Sequence, residues 1–285
     1  MTRGDGSGAP AAAGYTGDAE PGGPAAVRVL DEVVLRKASV GPMDNAAYVL
    51  ACRRTGERLL VDAAAEPDRL LALVGAGSPG DAAGAGWPGG LAGAGSPGDA
   101  AGAGWPGDAA GAGSDAVPPG PLALVVTTHR HGDHLGALAA VLAATGAPHA
   151  AGADDAAAVA EAAGTTRPRA LAHGDVLTVG ALRLEVLALR GHTPGAVALA
   201  YREPDDARAP GAVPDRVHLL TGDSLFPGGL GRTTDPVAFA SLMADLEARV
   251  FGRFRDDTWV YPGHGRDTTL GAERPHLPEW RARGW

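Results

Sequence analysis

The chain is short of several things, and each shortage narrows what it can do. It holds one cysteine, Cys52, in 285 residues. No intrachain disulfide can form, which fits a reducing cytoplasm, and the expected role of Cys52 is that of a small half-buried strand residue. Lys37 is the only lysine among 24 basic residues, and the net charge is -9. No basic stripe is visible, which argues against a nucleic-acid surface. No window of about 18 apolar residues occurs, so no membrane span is expected. Residues 1–26 contain almost nothing to bury and lack the apolar run of a signal peptide. They are expected to form a disordered tail. The bias toward Arg, Ala and Gly resembles proteins of high-G+C bacteria such as actinomycetes.

A second stretch is equally poor in aliphatic side chains. "GAGSPGDAAGAGWPG" occurs at residues 75–89 and again at 93–107, and "GAGS" at 111–114 starts a third copy. Each unit offers one tryptophan and no aliphatic face, so stacking the units would bury little. A flexible insertion over residues 75–121 is the better reading. Without tail and insertion, one domain of roughly 200–220 residues remains within 27–285.

What is present is a regular alternation. Strands are expected at 27–35, 47–51, 59–61, 122–127, 176–179, 182–189, 197–201, 217–220 and 259–261. Helices are expected at 66–74, 135–144, 154–163 and 236–250, the last capped by Asp235. The alternation falls into two similar halves, which suggests an α/β fold with two sheets between helical layers.

Chemistry gathers where strands end. "LALVVT" runs into "THRHGDH", with His129, His131, Asp133 and His134. "RGHTPG" brings His192, "GDSLF" brings Asp223 and "PGHG" brings His264, each beside a glycine. Clefts in α/β folds lie outside the carboxyl ends of strands, and small residues there allow close approach. Imidazoles suit zinc or iron, and carboxylates widen the tolerance toward manganese. His149, His173, His218 and His276 lie outside these motifs and are expected to be packing or surface residues.

These four motifs, in this order, resemble the metallo-β-lactamase superfamily, and "GDSLFPGGLGRT" is most similar to glyoxalase II-like hydrolases (hydroxyacylglutathione hydrolases). The resemblance implies a single-domain, four-layer αββα sandwich. It implies a first metal on His129, His131 and His192, a second on Asp133, His134 and His264, and Asp223 between them. Two divalent ions, zinc before iron or manganese, would share a hydroxide oriented by Asp133. The implied reaction is hydrolysis of a small molecule, a thioester of a low-molecular-weight thiol. Arg232 stands where the family places a basic substrate-binding residue. It would either clamp a carboxylate or pair within its own loop.

Thr234 and Arg266 stand where larger relatives carry tyrosines, and only 21 residues follow His264. The helical glutathione-gripping domain is therefore expected to be absent. Persulfide dioxygenases share the motifs, so a mononuclear Fe(II) site on His129, His192 and Asp223 is the alternative. A lactonase or other esterase is a further one.

The insertion enters before the strand at 122–127, whose far end carries the ligands. Six residues place it roughly 20 Å from the metals. Deleting residues 75–114 is therefore expected to leave turnover unchanged. A large drop in kcat with far-UV circular dichroism intact would contradict this.

Overall fold

The computed structural model describes residues 15–75 and 115–284. The repeat lies almost wholly outside them. The first sheet holds β1 (Ala26–Val29), β2 (Val33–Val40), β3 (Asn45–Cys52), β4 (Arg58–Val61), β5 (Leu122–Thr127), β6 (His149–Gly152) and β7 (Arg169–Leu171), side by side in chain order. Pairing is antiparallel up to β4 and parallel from β4 to β7. Helices α1 (Pro67–Leu73), α2 (Leu138–Thr145) and α3 (Ala156–Ala163) occupy the connections among these parallel strands.

The second half opens with β8 (Val176–Val179), β9 (Leu182–Ala188), β10 (Val197–Arg202) and β11 (Val217–Gly222). A small hairpin of β12 (Leu225–Phe226) and β13 (Gly229–Leu230) leads to helix α4 (Pro236–Leu246). Then follow β14 (Trp259–Pro262), β15 (Thr268–Thr269), α5 (Leu270–Glu273) and α6 (Leu277–Arg283). The sheet order is β15-β14-β11-β10-β9-β8, and α4 lies in the crossover between parallel β11 and β14.

Three apolar clusters explain the layering. Leu35, Leu50 and Leu59 of the first sheet meet Leu184, Val186, Leu199 and Tyr261 of the second, which is the sheet-on-sheet core. On the outer face of the first sheet, Val49 and Leu60 pack with Leu70, Leu138 and Val159 of its helices. On the outer face of the second, Leu187 and Leu219 pack with Phe239, Leu242 and Trp280. Along β9 the even residues Leu182, Leu184 and Val186 face the partner sheet, while Leu187 and, just past the strand, Leu189 pack with α4. β3, NAAYVLAC, is buried at every residue and reads as the near-continuous apolar run of a strand covered on both faces.

Several expectations need correction. The strand expected at 27–35 is two antiparallel strands, because the polar pair Asp31-Glu32 turns the chain and Leu30 N–H bonds Val33 C=O. The helix expected from 135 begins at Leu138, after a 3₁₀ turn at Gly132–His134. The helix expected at 236–250 is α-helical to Leu246 and continues as a π turn, Glu247–Phe251; Asp235 caps it through Val237 N and Ala238 N. Residues 115–121, assigned to the insertion, lie against the start of β4, with Arg58 N–H donating to Pro121 C=O at 3.0 Å.

Residues 15–25, assigned to the tail, are also placed. Tyr15 packs edge-on against Trp259 and donates its hydroxyl to Asp267 at 2.9 Å. One aromatic in a Gly-Ala-Pro segment is enough of an anchor when a buried carboxylate receives it. The chain's single lysine completes this corner. Lys37 is 1% exposed and donates to Gly17 O at 2.8 Å, Gly265 O at 2.6 Å and Asp267 Oδ1 at 2.6 Å. All three ammonium protons are used. Burial pushes the Asp267 carboxyl upward, while Lys37, Trp259 and Tyr15 pull the other way.

Removing one member of a buried ion pair strands the other. Lys37→Met is expected to cost about 3–5 kcal/mol, seen as a lower urea midpoint. A loss below about 1 kcal/mol would show that the pair behaves as an exposed one.

Candidate metal centre

Five strand ends converge at one edge of the sandwich. β5 delivers His129, His131, Asp133 and His134, the last two on the 3₁₀ turn. His192 follows β9, Asp223 follows β11 and His264 follows β14. β4 adds Asp62, which the sequence reading passed over.

The donor atoms fall into three overlapping groups: His129, His131 and His192; His129, His134 and Asp223; Asp133, His134 and His264. Within the last, His134 Nε2 and His264 Nε2 are 3.2 Å apart, and Asp133 Oδ2 is 3.2 Å from His264 Nε2 and 3.5 Å from His134 Nε2. Metal–ligand bonds of about 2.0–2.1 Å at tetrahedral angles put donors roughly 3.4 Å apart, so this triad has the edge lengths of a metal site. Asp223 lies between the groups. Its Oδ1 is 3.4 Å from His134 Nε2, and its Oδ2 is 3.5 Å from both His192 Nε2 and His264 Nε2.

The rings are aimed from behind. His134 Nδ1 lies 3.0 Å from Asp62 Oδ2, His192 Nδ1 lies 2.7 Å from Arg232 O, and His264 Nδ1 lies 2.8 Å from Met43 O. Each partner can only accept, so each Nδ1 carries the proton and each Nε2 presents its lone pair. His129 Nδ1 meets Thr128 Oγ1 at 3.0 Å, and that hydroxyl donates to Asp62 at 2.8 Å, which leaves it an acceptor for the ring. His129 Nε2, His192 Nε2 and Asp223 Oδ1 are buried with no hydrogen-bond partner among the described residues. Buried polar atoms are rarely left orphaned unless a ligand takes them. The residues therefore fit divalent metal.

The electrostatics agree. Burial and the adjacent His134, His192 and His131 hold the His129 imidazole well below its ordinary range, despite Asp223. Burial opposes charge on His134 too, but the Asp62 charge and the contacts to Asp223 outweigh it and push the ring up to about 10. Burial raises the Asp223 carboxyl, yet His134, His264 and His129 outweigh that and hold it far below the carboxylate range. Positive charge is favoured on the Asp62–Asp223 axis.

The sequence matches the Metallo-beta-lactamase superfamily over residues 40–209, more than half its length. The chain belongs to this superfamily. A hydroxyacylglutathione hydrolase of Polaromonas sp. is 37% identical over 145 residues, 49% of this chain and 47% of that protein. The chain spans about half the length of the curated relatives it matches. Among solved structures, ETHE1 from Myxococcus xanthus superposes with a TM-score of 0.59 at 23% identity, covering 87% of this chain and 84% of that one. The protein TTHA1623, solved in a di-iron-bound form, is 28% identical with a TM-score of 0.51, covering 84% and 96%.

Within this superfamily fold, three polar residues outside the expected set hold the cluster. Asp62 accepts from Thr128 N–H, Thr128 Oγ1 and His134 Nδ1 from a left-handed backbone (φ 58°). Asp155, fully buried, accepts from Arg130 N–H, Gly195 N–H and Thr193 Oγ1, and so ties the His129–His131 loop to the His192 loop. Asn45 donates to Asp133 Oδ2 at 2.9 Å. Weak signals existed: "LLVD" ends a strand on an acid as "LALVVTTH" ends on a histidine. Arg232 contributes its carbonyl to His192, and its exposed guanidinium makes no ion pair among the described residues. His149 and His218 are buried away from the cluster, bonded to Thr127 and to Glu203 and Tyr261, while His173 and His276 are exposed. No helix among the described residues is long and apolar enough to cross a membrane.

Asp62→Asn keeps the shape but turns an amide N–H₂ toward His134, which then holds its proton on Nε2. Zinc affinity, measured by competition with a chromogenic chelator, is expected to fall about 10–100-fold. Unchanged affinity would show that Asp62 does not set the tautomer.

Proposed function

We propose that the chain is a dinuclear metal-dependent hydrolase acting on a thioester of a low-molecular-weight thiol. The observation that carries this is the complete second triad, Asp133, His134 and His264, with donor spacings of 3.2–3.5 Å. His129, His131 and His192 are assigned to the first ion, and Asp223 is shared. Zinc suits this imidazole-rich set best; iron and manganese are the alternatives, and the di-iron form of TTHA1623 supports iron. Bound there, a pair of divalent cations supplies Lewis acidity, bringing water toward ionisation near neutrality and drawing charge from an acyl oxygen.

The chain's residues do the rest. Asp133 has one carboxylate to offer both the second site and a nucleophilic water. Burial raises its pKa, but Asn45, His134 and His264 outweigh this and keep it ionised, able to accept that proton. Arg232, unpaired and exposed beside the His192 loop, is assigned to an anionic group of the substrate. A thiolate leaves readily, with a free-thiol pKa of about 8.5, so no strong general acid is needed. The relatives named hydroxyacylglutathione hydrolase support the thioester, and the carrier thiol is left as a class.

A second reading has its own observation. His192 Nε2 and His129 Nε2 lie 3.5 and 3.9 Å from Asp223 Oδ2, the two-histidine, one-carboxylate set of a mononuclear Fe(II) oxygenase such as a persulfide dioxygenase.

Metal content of protein purified without added metal separates them. Two ions per chain with cleavage of an α-hydroxyacyl thioester is the expected result, and Asp133→Asn should lower kcat roughly 10²–10⁴-fold. One iron per chain, with O₂ consumed alongside a persulfide, would overturn the hydrolase.

A further inference from the structure

The turn between β2 and β3 touches the second triad and leaves the first alone. Its carbonyl at Met43 accepts from His264 Nδ1 at 2.8 Å. Its last residue, Asn45, is 2% exposed and begins β3. The Asn45 amide donates to Asp133 Oδ2 at 2.9 Å, and the same nitrogen lies 3.4 Å from His264 Nε2. The backbone is registered to the same loop: Asn45 pairs with His264 as an isolated bridge, and Ala46 N–H donates to Gly263 O at 2.8 Å. A carboxylate can only accept, so the Asn45 nitrogen, not its oxygen, faces Asp133.

We infer that Asn45 is the positioning residue that decides whether the second metal site fills. The inference rests on the two-metal reading above. Asp133 Oδ2 is the oxygen that faces both His134 Nε2 and His264 Nε2, at 3.5 and 3.2 Å. The Asn45 hydrogen bond occupies one lone pair of that oxygen and leaves another for an ion. It stops the carboxylate from rotating out toward solvent, to which Asp133 is partly open. The first site has a separate support in Asp155, which accepts from Arg130 N–H and from the Thr193 hydroxyl, each beside one of its histidines. A substitution at Asn45 removes a tether of the second site and leaves Asp155 in place.

The test is a stoichiometric Zn²⁺ titration of metal-stripped full-length protein, with Asn45→Ala and the near-isosteric Asn45→Leu beside the wild type. The wild type is expected to bind two ions. Both variants should keep the first ion with unchanged affinity and bind the second roughly 10–100-fold more weakly. Retention of the first ion reports that each variant is folded. Equal losses in the two variants point to the missing N–H rather than to lost volume. Two ions bound as tightly as in the wild type would overturn the inference alone, as would loss of both ions together. A wild type that takes only one ion at saturating Zn²⁺ would overturn the two-metal reading and the inference with it.

Discussion

His129, His134, His192 and His264 are aimed at the centre by the bonds on their far nitrogens. A neutral imidazole has one proton to place, and the acceptor behind each ring decides where it goes. Asp62, Thr128, Arg232 O and Met43 O take that proton, so the Nε2 lone pairs converge. Two of those acceptors are backbone carbonyls. The site therefore depends on loop geometry as much as on ligand identity, and the loops depend on the sheets. Because β4, β5, β9, β11 and β14 all finish at one edge, Met43 O beside the first sheet can serve His264, a ring carried by the second.

Crowding is the second condition. A Cβ on Gly263 would run into Asp223 Oδ1 and His134 Cε1. A Cβ on Gly231 would strike the Asp223 carbonyl. At these two glycines the cluster fills the space a side chain would take, whereas Gly222 and Gly265 also serve the backbone through positive φ. Such close approach of buried polar groups costs stability unless a cation neutralises them. His134, pushed toward protonation by Asp62 and Asp223, shows the same demand for positive charge.

This division explains what the sequence disclosed. The clustered side chains were legible because metal chemistry restricts residue type and spacing, and the structure does bring them together. β5 and β8 were legible because a strand of aliphatic residues bounded by turns has a clear signature. β6, "HAAG", and β7, "RAL", carry no such pattern; their pairing with β5 and with each other is a matter of backbone, which composition does not advertise. Asp62, Asn45 and Asp155 were missed for a related reason. A residue that orients a ligand needs only one suitable atom at the right place, and an Asp or Asn in a loop meets that requirement anonymously. Tyr15 and Lys37 were illegible because their partner, Asp267, is 252 and 230 positions away in the chain.

That last corner bears on the metal site itself. Lys37 holds Gly265 O, one residue past His264, and Gly17 O from the N-terminal segment. Tyr48 donates to Pro262 O at 2.6 Å, two residues before His264. The His264 loop is thus fastened on both sides of its ligand by side chains of β2 and β3, while Met43 and Asn45 hold the ring and its neighbour Asp133. His264 and Asp133 are partly exposed, whereas His129 and His134 are buried. A partly exposed ligand loses more to motion and to competing water than a buried one, so it needs more fastening. The second triad therefore leans on the β2–β3 corner more than the first group does. Those hydrogen bonds come from residues that the THRHGDH, GHTPG, GDSLF and PGHG motifs do not contain.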